Sequence, residues 1–240
     1  MPDIAVAPLS LGERFRALQQ ERERSWSPAA LAINAGQRAT LRRTHDAARH
    51  VRVGDVLPDT ELRREDGTLL SLDALVDGGS VVLVFFRFAT CPACNIALPY
   101  YRDTLAPALA AAGVTLLAVS PQPYPALGEI ARRHALPFEV VSDPALSLSR
   151  ALGITYVFDD ASRAVAEARG ERPETLNGVS QWELPKPAVL VVGPGRIARF
   201  VDVSPDWMDR TESAAVLEAL GLDARAADLA RHEQEQIHAA

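Results

Sequence analysis

Cysteine is nearly absent from this sequence, with two in 240 residues. That scarcity excludes a disulfide-braced scaffold, which needs several bridges. It also excludes a four-thiolate zinc site. A site of two cysteines and two histidines would need the histidines close together, and His45, His50, His134, His232 and His238 are scattered along the chain. No apolar run approaches the ~20 residues of a bilayer-spanning helix, so no membrane partner is expected. Acidic residues outnumber basic ones, 31 to 25, for a formal net charge of −6, which argues against nucleic acid as a partner. Met1-Pro2-Asp3 opens without the basic and apolar stretches of a secretory leader, and a cytoplasmic location is the expectation. No internal repeat or low-complexity tract is evident. What remains, 48% hydrophobic and 23% charged, suffices for a full core in one or two domains.

The two cysteines stand together, in Cys91-Pro92-Ala93-Cys94. Before them runs Val81 to Phe86, continuously apolar and rich in β-branched and aromatic residues, as in a strand buried on both faces. The pair is therefore expected where a buried strand hands over to a helix. Two cysteines three positions apart in a first helical turn can bring their sulfurs onto one face. The free N–H groups and positive dipole end there favour a thiolate. In a reducing compartment such a pair points to catalysis by reversible dithiol–disulfide exchange rather than to a structural bridge. No metal and no cofactor is called for, because the sulfurs carry the chemistry themselves.

Residues 1–50 read as a helical arm. Leu11, Phe15 and Leu18 form one stripe, Glu21-Arg22-Glu23-Arg24 reads as a solvated face, and Ser27-Pro28 starts a second helix. Residues 51–222 alternate strands and helices. Gly54 to Pro58 leads into a short strand, Asp66-Gly67 makes a hairpin turn, and Leu72 to Val76 is a helical turn before the central strand. The cysteine helix should run to about Ala112 with a kink at Pro99. Strands follow at 114–120 and 138–141, and a hairpin at 188–201 turns through Gly193-Pro194-Gly195. Residues 159–185 are polar with few strand or helix signals and read as an insertion flanking the site. Residues 223–240 read as a charged, alanine-rich helical tail. Helices of this length between strands imply parallel pairing with right-handed crossovers.

Several segments, in order, carry a resemblance: Gly-Asp-x-x-Pro-Asp at 54–59, Phe-Phe-Arg leading to Cys-Pro-x-Cys-Asn at 85–95, and Ala-Val-Ser-Pro-Gln at 118–122. Ser-Asp-Pro at 142–144, Leu-Pro-x-Pro-Ala at 184–188 and Asp-Trp-x-x-Arg at 206–210 follow. Over roughly residues 50–220 the sequence resembles CxxC-containing, peroxiredoxin-like (AhpC/TSA-type) proteins of the thioredoxin superfamily. The resemblance implies an α/β thioredoxin-like fold, a central mixed β-sheet flanked by helices, here with an N-terminal helical extension. It implies that Pro187 is a cis-proline facing the dithiol and that Phe88 and Pro92 border a substrate pocket. Arg210 matches the family's late active-site arginine; Arg87, ending a buried apolar strand just before the cysteines, needs a compensating partner such as a thiolate, and Thr90 adds a hydroxyl or caps the following helix. The chain departs from the strict Pro-x-x-x-Thr-x-x-Cys pattern: counted back from Cys94, Cys91 takes the threonine place and Arg87 the proline place.

Three functions fit these residues. The first is an antioxidant thiol peroxidase acting on hydrogen peroxide or organic hydroperoxides, reduced afterwards by a thioredoxin-like protein or a low-molecular-weight thiol. Cys91 is expected to attack, as the more exposed cysteine nearer the dipole end, and Cys94 to resolve, although the family alignment allows the reverse. The second is a thiol–disulfide oxidoreductase. The third is a non-catalytic redox sensor whose arm binds a partner. By analogy with the family, the chain pairs as a homodimer.

Overall fold

The computed structural model describes residues 9–222, so the expected tail at 223–240 lies outside the described residues. The chain opens with α1 (Leu11–Ser25) and α2 (Pro28–Arg43). Ser10 and Glu13 close a capping box on α1, and the Ser27 hydroxyl accepts the Ala30 N–H with Pro28 in the first turn of α2. The Glu212 carboxylate also accepts the Leu11 and Gly12 N–H groups, tying the start of α1 to the other end of the chain.

Next come β1 (Glu61–Arg63), β2 (Leu69–Ser71), α3 (Leu72–Asp77), β3 (Val81–Phe85), α4 (Cys94–Thr104), α5 (Ala106–Ala111) and β4 (Thr115–Ser120). They are followed by α6 (Ala126–Arg133), β5 (Glu139–Ser142), α7 (Ser147–Ala151), β6 (Thr155–Val157), α8 (Asp160–Ala168) and α9 (Pro173–Asn177). β7 (Glu183–Pro185), β8 (Ala188–Gly193), β9 (Ile197–Val203) and α10 (Ser213–Ala219) complete the described chain.

Seven strands form one mixed sheet in the order β2-β1-β5-β4-β3-β8-β9. The core trio β3, β4 and β5 is parallel, and β8 lies antiparallel to β3 with Phe85 opposite Ala188. Every residue of β3 is buried. Its side chains alternate between two apolar cores, Val82 and Val84 entering one, Val81, Leu83 and Phe85 the other. The first core also holds Phe15, Cys91, Cys94 and Trp207, so the helix α1 and the dithiol share it. This is the mixed sheet flanked by helices that the sequence implies.

Two expectations need correction. The cysteine helix does not run unbroken to Ala112: Pro99 lies inside α4 as expected, and the interruption falls at Leu105. Pro107 sits in the first turn of α5, and its ring would collide with the Asp103 carbonyl if one helix ran straight through. Residues 159–185 are not irregular: they hold α8, α9 and β7, and β7 pairs antiparallel with β6 as a separate ribbon. Asp159 starts α8 by accepting the Ser162 N–H, a polar cap whose polarity hid the helix behind it.

Gly153 joins α7 to the segment leading into β6. It has φ +71°, and a Cβ there would sit on the Arg49 carbonyl, beside the Val51 N–H bond to Leu152. Gly153→Ala combines a left-handed backbone with a backbone clash. It is expected to lower unfolding free energy by about 2 kcal/mol or more, read as a shift in the urea midpoint.

Candidate active site

The chain leaves β3 through a loop whose backbone is held by side chains. The Ser120 hydroxyl donates to the Arg87 carbonyl (2.9 Å), the Gln122 carbonyl oxygen accepts the Ala89 N–H (2.7 Å), and Asn95 Nδ2 donates to the carbonyls of Ala89 (2.7 Å) and Cys91 (2.9 Å). His134 Nε2 holds Asn95 Oδ1 at 2.7 Å. A loop with its polar groups satisfied in this way can stay buried.

The helical hydrogen bonding begins at Cys91, whose carbonyl accepts the Asn95 N–H at 3.0 Å, although α4 is regular only from Cys94. No side chain of the residue before Cys94 caps the helix. That position is served by sulfur: Cys91 Sγ accepts the Cys94 N–H at 3.3 Å, the place a serine or aspartate oxygen takes in an ordinary cap. Cys94 Sγ donates to Cys91 Sγ at 2.8 Å, and Arg87 Nη2 donates to the same sulfur at 3.1 Å. Arg210 Nη2 stands 3.7 Å from Cys94 Sγ, with its Nε donating to the Trp207 carbonyl. The guanidinium of Arg87 also donates to the Tyr156 hydroxyl at 3.3 Å and lies 5.2 Å from the ring centres of both Phe88 and Trp207.

Burial pushes both thiols up, and the two end up on opposite sides of the ordinary value. For Cys91, burial is overcome by the hydrogen bond from Cys94 and by the charges of Arg87 and Arg210, and its pKa falls well below the usual range. For Cys94, burial is reinforced by donation to Cys91 and by that sulfur's negative charge, and its pKa rises well above. The arrangement favours the charge on Cys91 and the proton on Cys94.

Of the residues the sequence singled out, Cys91, Cys94, Arg87 and Arg210 converge. Phe88, Thr90 and Pro92 line a cavity of about 280 Å³ on the outer side of Arg87. Two expectations fail, and of two alternatives for Thr90 one is excluded. Cys91 is not the more exposed sulfur, because both are 0% exposed. Thr90 is exposed in the cavity lining and does not cap α4. Pro187 is not cis: the cis peptide bond among the described residues joins Tyr124 to Pro125. Pro187 is buried, its carbonyl accepts the Ser204 N–H, and the adjoining Lys186 N–H goes to Ile154, so that backbone edge is already paired and not open to substrate.

Sequence reasoning missed Tyr156, Gln122, Asn95 and Arg22. Arg22 is the instructive one, because it is 4% exposed and lines the same cavity although it lies in a charged run. The signal was present: 11, 15, 18 and 22 continue one helical stripe. Among the described residues no cluster of three or more His, Cys, Asp or Glu side chains is arranged to hold a metal, and no helix is long and apolar enough to cross a membrane.

The sequence model of the AhpC/TSA family matches residues 53–200, well over half the chain. The chain belongs to the AhpC/TSA family. Peroxiredoxin bcp1 of Schizosaccharomyces pombe is 29% identical over 103 residues, which cover 43% of this chain and 52% of that protein. The chain thus spans about half the length of that relative. Among solved structures, peroxidoxin BcpB from Mycobacterium tuberculosis superposes with a TM-score of 0.56 at 22% identity, covering 74% of this chain and 98% of the other. Reduced Prx3 of Vibrio vulnificus, solved in complex with hydrogen peroxide, gives 0.51 at 19% identity over 64% and 88% of the two chains. These likenesses establish the thioredoxin-like, peroxiredoxin-type fold. The AhpC/TSA match includes both cysteines, Arg87, Gln122 and Tyr156, while α1, α2, Trp207 and Arg210 lie outside it.

Proposed function

We propose that this protein is a thiol peroxidase reducing hydrogen peroxide or organic hydroperoxides. The observation that carries the reading is the set of donors on Cys91 Sγ: a guanidinium, a backbone N–H at a helix start and the neighbouring thiol. The Cys91 thiolate attacks the terminal peroxide oxygen and the O–O bond breaks. The alkoxide or hydroxide leaves and takes up a proton, and Cys91 becomes a sulfenic acid. The Arg87 guanidinium lies where it can stabilise the developing oxyanion. The Cys94 thiol then attacks the Cys91 sulfur, a Cys91–Cys94 bond forms, and water departs. Two reducing equivalents from a thioredoxin-like protein or a low-molecular-weight thiol restore the dithiol, in keeping with a cytoplasmic setting.

The alternative, thiol–disulfide exchange, draws support from the 2.8 Å between the sulfurs, which suits either an incoming disulfide or a sulfenic acid. Against it stands the complete burial of both sulfurs, which favours a small oxidant over a protein disulfide. Single-turnover oxidation of the reduced protein, followed by tryptophan fluorescence, tests the choice. Hydrogen peroxide is expected to oxidise the pair faster than an equal concentration of cystine, and the reverse order would make the protein an oxidoreductase.

A further inference from the structure

Arg22 has no task in the mechanism above. It reaches in from α1, is 4% exposed, and its guanidinium lies over two indoles, 4.8 Å from the Trp26 ring centre and 5.1 Å from that of Trp207. Its Nη1 donates to the Met208 thioether at 3.5 Å, a weak acceptor. Among the described residues no carboxylate forms an ion pair with it. A guanidinium withdrawn from water with no carboxylate beside it is costly; the anion whose charge it feels is the Cys91 thiolate, which Arg87 already holds by direct contact, so its own fork of donors can still take an anionic ligand.

The cavity of about 280 Å³ supplies the room. Arg22 and Arg87 both line it, and Arg87 is the residue that touches the Cys91 sulfur. Trp26, Phe88, Phe158 and Trp207 give it aromatic walls. Exposed Arg169 and half-buried Glu171 add one charge of each sign, so the net positive charge of the lining is that of Arg22 and Arg87. Arg22 is not needed to hold the thiolate, since Arg87 and Arg210 already stand at the sulfurs.

We propose that this cavity takes an organic hydroperoxide with a hydrophobic body and a carboxylate, the carboxylate bound by Arg22 while Arg87 directs the O–O group to Cys91. The assignment rests on the peroxidase reading and adds the substrate class. The planar fork of a guanidinium matches a carboxylate through two parallel hydrogen bonds, and the flanking indoles hold its plane. Because α1 lies outside the residues matched by the AhpC/TSA family, this selectivity belongs to the chain's own arm.

Cumene hydroperoxide and its para-carboxylate form the test pair. The wild type is expected to prefer the carboxylate in kcat/KM by about tenfold or more. Arg22→Gln is expected to bring the ratio to about one, and Arg22→Lys, which keeps the charge without the fork, to restore part of it. The unreactive 4-isopropylbenzoate should quench tryptophan fluorescence saturably in the wild type and not in Arg22→Gln. That readout needs no turnover: Arg22-dependent quenching without peroxide consumption would sink the peroxidase reading and still support Arg22 as the carboxylate site. Equal kcat/KM for the pair in the wild type, or a ratio unchanged by Arg22→Gln, overturns the proposal. It is equally overturned if the variant slows recycling by thioglycolate relative to 2-mercaptoethanol while the peroxide ratio stays put, since the anion would then belong to the reductant. Should the variant fail to fold, competition of 4-isopropylbenzoate, but not of isopropylbenzene, against the charged hydroperoxide in the wild type decides the matter.

Discussion

Cys91→Ser is expected to lose peroxide turnover by at least about a thousandfold, whereas Cys94→Ser keeps a fast first oxidation and fails to cycle. The asymmetry follows from the site. Cys91 receives the Arg87 guanidinium, the Cys94 N–H and the Cys94 thiol, while Cys94 is itself a donor whose proton is held more tightly than usual. A serine at 91 offers no comparable nucleophile, since its hydroxyl is far from ionised at neutral pH. A serine at 94 leaves the thiolate and both arginines in place and removes only the partner that condenses with the sulfenic acid. Stopped-flow oxidation followed by mass spectrometry separates the two: the Cys94→Ser protein should gain one oxygen on Cys91. If the oxygen appears instead on Cys94 of the Cys91→Ser protein at wild-type rate, the two sulfurs have the opposite roles.

Arg87→Met is expected to slow peroxide oxidation at neutral pH by about 10²–10³-fold, comparable to removing one preorganised donor from a developing oxyanion. Two effects combine, loss of a donor to the leaving oxygen and loss of the charge that lowers the Cys91 pKa. The wild-type rate should therefore stay level across neutral pH and fall only as pH drops through the depressed Cys91 pKa. In the variant that fall should move to higher pH, tracked by ultraviolet thiolate absorbance. Stability carries the same sign. An acid whose folded pKa is depressed adds stability as pH rises from that value to the unfolded thiol range near ~8.5, and loses it as pH falls back through the folded pKa. Reduced Arg87→Met should show a flatter rise. Methionine suits the site because no carboxylate pairs with Arg87, so the only acid that loses a partner is the Cys91 thiol under test. A variant with unchanged rate and thiol titration would refute the role given to this guanidinium.

The parts legible in the sequence were those fixed by local pattern. Val81 to Phe86 could be read as a buried strand because six consecutive apolar residues allow no solvated face. The Asp66-Gly67 turn placed the β1–β2 hairpin, with Leu62 opposite Leu70, because the turn chemistry is specific. The cysteine pair, with Arg87 four residues before the first, announced its own chemistry. What the sequence concealed depends on distant segments meeting. Arg22 reads as solvated among Glu21, Glu23 and Arg24 because Trp207 and Met208, which pack against it together with nearby Trp26, lie far along the chain. Tyr156 reaches the loop after β3 from the separate β6–β7 ribbon and Gln122 from just beyond β4, placements that cannot be counted off locally. The setting of Pro187 is hidden for a related reason: the pairing of its own carbonyl with Ser204 and of the Lys186 N–H with Ile154 exists only in three dimensions.

The sulfur that terminates α4 has a thermodynamic corollary. Closing the bridge discharges the anion that the guanidinium and the helix start were arranged to cradle, so the oxidised fold keeps the cations without their counter-charge. Whatever favours the open dithiol in this way must, by the cycle linking folding to reduction, make the closed form a willing electron acceptor. A pair so poised surrenders its bond easily, which suits the cycle of oxidation and reset proposed above.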